Sequence, residues 1–292
     1  MPLSLSLPAT VCYPAAVLAR KLRKTGLSET DIDQGKYFEV QYETTDRFVQ
    51  RLLGSFPLQG TLLDLGCGLG GRTPYWLEHG VDRCINLDIN KQELDFGKAY
   101  LAEHYPQFAD RAEWCTPEEV RIEADGAILF DTFEHLADPV AVLDQLEAWL
   151  KPGALVWIGS IGWYQHEASH LGGVIPIPWC QVLFSEKALI KTVRRIMRRP
   201  DYRPTVWDLM EGIDRWDRVE TLRNRPGEPL NLLSLRLCRQ AMTRSKLRLV
   251  RFDVHGFGGR TNRLARSFAF LAKVPIAQEL FHSYYTAVLQ KP

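Results

Sequence analysis

Residues 62–71, LLDLGCGLGG, and residues 83–90, RCINLDIN, decide the fold of this chain. Thr61–Leu65 is a short apolar run that predicts a buried strand, and glycines follow it before a segment with helical spacing. A glycine-rich turn between a strand and a helix lets a ligand approach bare backbone, with N–H groups of the helix start pointing at it. A second predicted strand, Arg83–Leu87, ends in Asp88, where an acid can accept hydrogen bonds from two ribose hydroxyls.

The glycine spacing alone leaves two kinds of ligand open. Gly66, Gly68 and Gly71 also satisfy GxGxxG, the dinucleotide fingerprint, which is a weak signal without context. Asp64 discriminates between the two, because a carboxylate there is unfavourable beside a pyrophosphate but favourable beside an ammonium group. The pattern resembles motif I of the class I S-adenosylmethionine (SAM)-dependent methyltransferases. The resemblance implies SAM as cofactor, bound by Asp64, Gly66, Cys67, Gly68, Gly70, Asp88 and Ile89.

Three later segments resemble further elements of the same family, in the same order. Thr116 follows a brief predicted strand at 112–115, where the family places residues beside the adenine. The family often has an acid there and this chain does not, so the candidates for that contact are Glu118 and a backbone amide. DTFEHLADP, at 131–139, follows a predicted buried strand at 126–130 and resembles the signature EHxxDP. LKPGALVWIGS, at 150–160, resembles a Pro-Gly turn that leads into a fifth strand. The resemblance implies Thr116 and Phe130 in the cofactor site and Asp131 near the transferred methyl group, and we interpret His135 as locking its turn.

The alternation of predicted strands and helices independently predicts a parallel sheet. Near the end of the chain, residues 247–254 and 283–291 resemble the closing strands of the family, of which the last is antiparallel. We therefore expect an α/β, Rossmann-like class I methyltransferase fold with a largely parallel seven-stranded sheet and an antiparallel last strand. We expect a helical cap at 1–60, a SAM-binding core at 61–160, a substrate lid at 161–235 and sheet-completing strands at 236–292.

The predicted lid carries the candidates for catalysis. It emerges from the carboxyl end of a central strand, the edge at which open α/β sheets bind ligands. Its segment HEASH, from His166 to His170, formally matches the zinc-protease pattern HExxH, but the nearby Gly172-Gly173 and two prolines disrupt the long helix that pattern needs. We therefore expect no metal site, and the alternative role for these histidines is to hold the loop in place. The candidates for orienting or deprotonating a methyl acceptor are His166, His170, Asp131 and Tyr164.

The two halves of the chain carry opposite charge. Residues 1–160 have a net charge of −10 and residues 161–292 a net charge of +11, within a total of +1. Such asymmetry indicates an anionic partner, whether a small substrate, a membrane surface or RNA, unless it serves solubility alone. We expect an acceptor that is aromatic or lipid-like at one end and anionic at the other. Its predicted contacts are Trp163, Tyr164 and Trp179 for the apolar part and a subset of Arg194, Arg195 and Arg198 for the charge.

Composition narrows the class of protein further. The six cysteines form no CxxC pair, which indicates reduced thiols and a cytoplasmic protein. The positive charges of the amino terminus follow its apolar part, unlike those of a secretory signal, and no apolar run reaches the roughly 20 residues that span a bilayer. We predict a SAM-dependent methyltransferase for a small-molecule O-, N- or C-acceptor, without a nucleic-acid partner. An RNA methyltransferase and a SAM-binding enzyme that transfers no methyl group, such as a cyclase, are the alternatives.

Overall fold

The structure of the chain is a computed structural model. It describes residues 5–22, 33–52, 59–121, 123–204, 208, 212–225, 228–257 and 268–292. Within these ranges no helix combines the length and the apolar character that a bilayer crossing requires. The six cysteines all lie buried as free thiols.

One twisted sheet organises the described residues. Its strands are β1 (Thr61–Leu65), β2 (Arg83–Leu87), β3 (Ala112–Cys115), β4 (Ala124–Phe130), β5 (Leu150–Ser160), β6 (Arg248–Gly256) and β7 (His282–Gln290). They lie in the order β3-β2-β1-β4-β5-β7-β6. β1 to β5 pair in parallel, whereas β7 runs antiparallel to both β5 and β6. This topology confirms the predicted fold class, including the antiparallel last strand.

Helices connect and cover the strands. They are α1 (Ala9–Leu22), α2 (Gln34–Leu52), α3 (Thr73–Glu78), α4 (Lys91–His104), α5 (Pro139–Ala148), α6 (Cys180–Leu183), α7 (Glu186–Met197), α8 (Leu235–Arg244) and α9 (Ala277–Phe281). Local chemistry fixes several of their starts. The side chains of Asn90, Asp138, Ser185 and Ser234 accept hydrogen bonds from the first free amides of α4, α5, α7 and α8. Asn90 therefore begins α4 three residues after the end of β2, and Asp138 begins α5 eight residues after the end of β4.

The sheet is buried on both faces, as expected for parallel strands covered by helices. Side chains alternate along each strand, so that Leu63 and Leu129 pack with α5 and α8 on one face. Leu62 and Ile128 face the other way and pack with Trp76 of α3. A third apolar cluster joins α1 to α7 and to the segments around them. The sheet therefore provides a rigid platform, and α1 and α7 form a separate packed unit beside it.

The predicted cap and lid meet through this third cluster. The guanidinium carbon of Arg195 on α7 lies 3.7 Å from the ring centroid of Tyr13 on α1. The boundaries 1–60 and 161–235 themselves stay predictions. Residues 1–4, 23–32 and 53–58 of the predicted cap, and residues 205–207, 209–211 and 226–227 of the predicted lid, lie outside the described residues.

A buried histidine ties the first residues of the predicted lid to the last strand. Nε2 of His282 accepts a hydrogen bond from the amide of Gly162 at 3.0 Å, and its Nδ1 donates to the carbonyl of Gln278 at 2.8 Å. Burial is the main cause that lowers the pKa of His282 from 6.5 to about 4. The folded state therefore favours the neutral ring, and its contribution to stability is complete above pH 6.5 and is lost as the pH falls toward 4.

We expect His282→Gln to flatten the pH dependence of folding. Between pH 7 and pH 5, the free energy of unfolding should fall by up to about 2 kcal/mol less in the variant than in the wild type. Urea unfolding at several pH values measures this difference. His104→Gln is the matched control because His104 is exposed on α4. Parallel pH curves for the wild type and His282→Gln would contradict the assignment.

Candidate functional site

The glycine turn after β1 has the conformation and the packing that its sequence predicts. Gly66 and Gly68 have φ values of 75° and 56°, in the left-handed region that favours glycine. A Cβ atom on Gly66 would come within 2.2 Å of Thr132, whereas one on Gly68 would meet a single neighbour, Glu93, at 3.0 Å. Gly66 is therefore required for close packing against Thr132. The backbone at Gly68 is less crowded, so a ligand can approach it more easily than it can approach Gly66.

Asp88 at the tip of β2 holds this turn in place. One of its carboxylate oxygens accepts a hydrogen bond from the amide of Gly68 at 2.9 Å, and the other accepts from the amide of Asn90 at 2.9 Å. Each oxygen keeps a further lone pair for a ligand hydroxyl. The next side chain, Ile89, is 84% exposed. Asp88 can accept hydrogen bonds from the hydroxyls of a ribose, and the apolar side chain of Ile89 can cover a base. Together these two residues fit an adenosine.

The other predicted cofactor residues divide into buried and partly exposed positions. Asp64 and Phe130 are only 2% and 1% exposed, and Cys67 is buried as well. Burial is the largest cause that raises the pKa of Asp64 to about 6, while Arg72 and Trp76 act in the opposite direction. Phe130 packs in the core, with its ring centroid 6.1 Å from that of Trp76. Their contact with a cofactor stays a prediction.

Thr116 lies half-buried after β3, as the sequence predicts. Its amide donates a hydrogen bond to Oε2 of Glu119 at 2.7 Å, and its hydroxyl donates to the same oxygen at 3.2 Å. Glu119 therefore already occupies the backbone amide that could have replaced the missing acid beside the adenine. Glu118, the other candidate for that contact, is exposed.

Asp131 lies at the centre of an ion-pair network at the end of β4. Arg72 donates to one of its oxygens at 2.7 Å, and the hydroxyl of Tyr284 donates to the other at 2.8 Å. Burial and the neighbouring carboxylate of Asp131 raise the pKa of Tyr284 well above its usual range. Neither partner of Asp131 is predicted from the sequence. Arg72 directly follows the glycine turn, so its position in the sequence could have indicated a role at the site. The alternation of inward and outward side chains along β7 does not distinguish Tyr284 from its neighbours.

A second polar cluster follows three residues later. The carboxylate of Glu134 is 7% exposed and accepts a hydrogen bond from the hydroxyl of Ser160 at 2.5 Å. Burial raises its pKa to about 7. Nδ1 of His135 donates to the carbonyl of Pro229 at 2.8 Å, which confirms that His135 locks its turn. The ring of His170 lies 5.0 Å from that of His135, between centroids.

The two histidines of HEASH have different surroundings. Residues 163–170 form turns and not a helix, as expected from the glycines and prolines that follow. The ring of His166 lies 5.8 Å from Trp179 and 5.2 Å from Phe257, whereas His170 contacts His135. The structure therefore brings His170, and not His166, to the cluster at the end of β4. The catalytic roles of both histidines stay predictions.

Each of the three lid arginines that were expected near the acceptor has a partner within the protein. Arg194 donates to the backbone carbonyls of residues 216, 217 and 219. Arg195 stacks on Tyr13, and Arg198 forms an ion pair with Asp217 at 2.8 Å. The side chain of Arg198 nevertheless stays 70% exposed, and a role for these arginines at the acceptor stays a prediction. The fold also offers other cationic partners for an acceptor's charge.

A cavity of about 1040 Å³ provides such partners. It begins at Trp163 and Tyr164, directly after β5, and extends between β6, α8 and the segment 272–279. Its walls combine aromatic rings with cationic groups, among them Phe252, Arg236, Arg239 and Lys273. The cavity shares no lining residue with the glycine turn, so it is distinct from the predicted cofactor site.

Comparisons with known proteins find relatives among methyltransferases. A family model described as a methyltransferase domain matches residues 37–173. Phosphoethanolamine N-methyltransferase 1 of Triticum aestivum is 30% identical over 125 residues, covering 41% of this chain and 24% of that protein. Trans-aconitate 2-methyltransferase of Azoarcus sp. is 26% identical over 160 residues, covering 54% of this chain and 61% of that protein. The chain thus spans about a quarter of the length of the first relative and less than two thirds of the second.

A solved structure with a related architecture is the geranyl diphosphate C-methyltransferase of Streptomyces coelicolor, in complex with Mg²⁺, geranyl diphosphate and S-adenosyl-L-homocysteine. It is 12% identical in sequence, and the match covers 86% of this chain and 80% of that one with a TM-score of 0.49.

Proposed function

We propose that this chain, which belongs to the class I SAM-dependent methyltransferase family, methylates a small-molecule acceptor that combines an apolar or aromatic part with a negative charge. The observation that carries the proposal is the position of Asp88. Its carboxylate joins the open glycine of the turn to the tip of β2, and the exposed Ile89 lies next to it. These groups suit the ribose and the adenine of SAM.

SAM supplies a methyl group on a positively charged sulfur, so the reaction needs little further activation and depends mainly on the positioning of two reactants. The role of the protein is to hold the cofactor and the acceptor in a closed site. Asp88 and the turn bind the cofactor side, and Asp131, fixed by Arg72 and Tyr284, lies at the acceptor side. Asp131 and His170 are the groups that we assign to orienting the acceptor or accepting its proton.

The charge of the cavity supports an anionic acceptor. Arg239 lies over the ring of Phe252, with 5.8 Å between its guanidinium carbon and the ring centroid, so one wall offers a cation and an aromatic face together. The two curated relatives are named for acceptors that carry negative charge, because phosphoethanolamine has a phosphate and trans-aconitate has carboxylates. We therefore expect the anionic part of the acceptor in this cavity and its reacting atom near Asp131.

Methyl transfer from radiolabelled SAM to a panel of small molecules tests the proposal. The panel contains phosphoethanolamine, trans-aconitate, hydroxybenzoates and neutral analogues of each. We expect label on an anionic member, and we expect Arg239→Gln to raise KM for that member about tenfold, as for loss of one charge-assisted contact. SAM affinity should not change. Arg244→Gln is the matched control, because Arg244 lies exposed on the same helix outside the cavity.

Other outcomes separate the alternatives. Label on RNA with retention that falls steeply with salt would favour an RNA methyltransferase. SAM binding without formation of S-adenosylhomocysteine across the whole panel would favour a non-methylating enzyme. Displacement of bound SAM by micromolar NAD would contradict the cofactor assignment.

A further inference from the structure

Three protein segments meet beside β4 and bring together side chains that the sequence keeps apart. Glu134 and His135 lie in the turn after β4, and His170 lies in the loop after β5. One ligand atom from each of these three side chains lies within 4.8 Å of the others. Two imidazoles and one carboxylate are the ligand set of many catalytic zinc sites and of non-haem iron sites.

Two of the three side chains have a hydrogen-bond partner that holds them, and the third lies near a carboxylate. Metal-binding histidines commonly donate their second N–H to a carbonyl or a carboxylate, which fixes the ring and directs the other nitrogen to the metal. His135 meets this condition, because its Nδ1 donates to the carbonyl of Pro229 at 2.8 Å. Nδ1 of His170 lies 3.9 Å from Oε1 of Glu228. Ser160 holds Oε2 of Glu134, and the carboxylate retains lone pairs for a ligand bond.

The backbone around the cluster is fixed as well. The amide of Asn231 donates to the carbonyl of Glu134 at 2.8 Å, and its side-chain amide donates to the carbonyl of Phe133 at 2.7 Å. His170 takes a φ of 51°, an unusual conformation for a residue other than glycine, at the position where its ring reaches His135. The segment 228–231 therefore holds the turn and His170 from the same side.

We propose that Glu134, His135 and His170 form a binding site for a divalent transition metal, with a coordination position left for a non-protein ligand. A tetrahedral zinc with bonds of about 2.0 Å brings its ligand atoms to about 3.3 Å from one another, so the three side chains close slightly around the ion. Nearby Arg225 is paired with Glu228, and Glu134 binds the cation in its ionised form.

The site differs from the one that the sequence excludes. HEASH cannot form the zinc-protease helix, and on that ground the sequence predicts no metal. The fold instead combines the second histidine of HEASH with two residues that lie 35 and 36 positions earlier in the chain. Because nitrogen ligands suit zinc and iron and not magnesium, we expect selectivity for a transition metal.

Metal binding can be measured on the full chain without methyl transfer, which makes its outcome independent of the proposed function. The protein is stripped with a chelator, titrated with Zn²⁺ and, in a second series, with Co²⁺, whose visible absorption reports coordination. We expect about one ion per chain by elemental analysis after dialysis, and no competition from millimolar Mg²⁺.

Variants identify the ligands. Glu134→Gln retains an acceptor for Ser160, and His170→Gln alters a loop residue that is 22% exposed in its side chain, so both should fold. We expect each to weaken metal binding at least tenfold, with circular dichroism and SAM affinity as checks of folding. Glu228→Gln should weaken it about ten- to a hundredfold through its effect on His170. His104→Gln controls for binding to surface histidines.

Three results would overturn the proposal. One is the absence of stoichiometric Zn²⁺ or Co²⁺ binding by the wild type. Another is unchanged affinity in the folded Glu134→Gln and His170→Gln variants, which would make the cluster a hydrogen-bonded support of the loop. The last is loss of the ion in His166→Gln with retention in His170→Gln, since His166 lies away from the cluster.

Discussion

Replacing Asp88 by alanine is expected to weaken the binding of SAM and of S-adenosylhomocysteine about ten- to a hundredfold. The change removes a carboxylate that can accept from the ribose and that also holds the amides of Gly68 and Asn90. A hydrogen bond to a charged group contributes about 1.5–3 kcal/mol, which corresponds to this loss of affinity. Calorimetric titration of the folded variant with both ligands measures it.

The chain offers a close control for this experiment. Asp82 also accepts a hydrogen bond from a glycine amide, that of Gly60, at 2.9 Å. Asp82 precedes β2, however, and so lies at the amino-terminal end of that strand, opposite the end that carries Asp88. We expect Asp82→Ala to lower stability slightly and to leave SAM affinity unchanged. Asp88→Asn should give an intermediate loss, because one oxygen remains as an acceptor. Unchanged affinity in Asp88→Ala would remove Asp88 from the site.

The second large effect concerns the acceptor side. We expect Asp131→Asn to reduce kcat about a hundredfold or more, in the range found for removal of a proton-accepting group, while SAM affinity stays close to that of the wild type. Asparagine tolerates the φ of 55° at this position and keeps an oxygen that can accept from Tyr284. Single-turnover rates with the acceptor found in the panel separate this step from binding.

Asp125→Asn is the matched control for this variant. Asp125 lies near the other end of β4, accepts a hydrogen bond from the amide of Thr61 at 2.8 Å and pairs with Lys151 at 2.7 Å. Its replacement should lower the melting temperature without a change in kcat. If Asp131→Asn behaves in the same way, with lower stability and full turnover, Asp131 serves only to hold Arg72 and Tyr284.

The sequence by itself determined the parts of this protein that depend on neighbouring residues. The turn after β1 needs a left-handed backbone at Gly66 and Gly68, and glycine adopts that backbone at little cost. Asn90 and Ser185 begin helices because their side-chain oxygens accept hydrogen bonds from the first free amides, only two or three residues later in the chain. The alternation of buried strands and helices then led to the correct sheet, since parallel strands need such crossovers.

Only the tertiary structure decided which side chains from distant segments come together. Asp131 pairs with Arg72 across 59 residues and with Tyr284 across 153 residues, and no local pattern encodes those distances. Charge along α7 suggested free arginines, but the fold turns Arg194 toward backbone carbonyls. The segment HEASH suggested that its two histidines act as a pair. The turns that it forms instead give the two rings different neighbours, and His170 lies close to Glu134 and His135. Long-range contacts of this kind depend on how the lid packs against the sheet, which is a property of the whole chain.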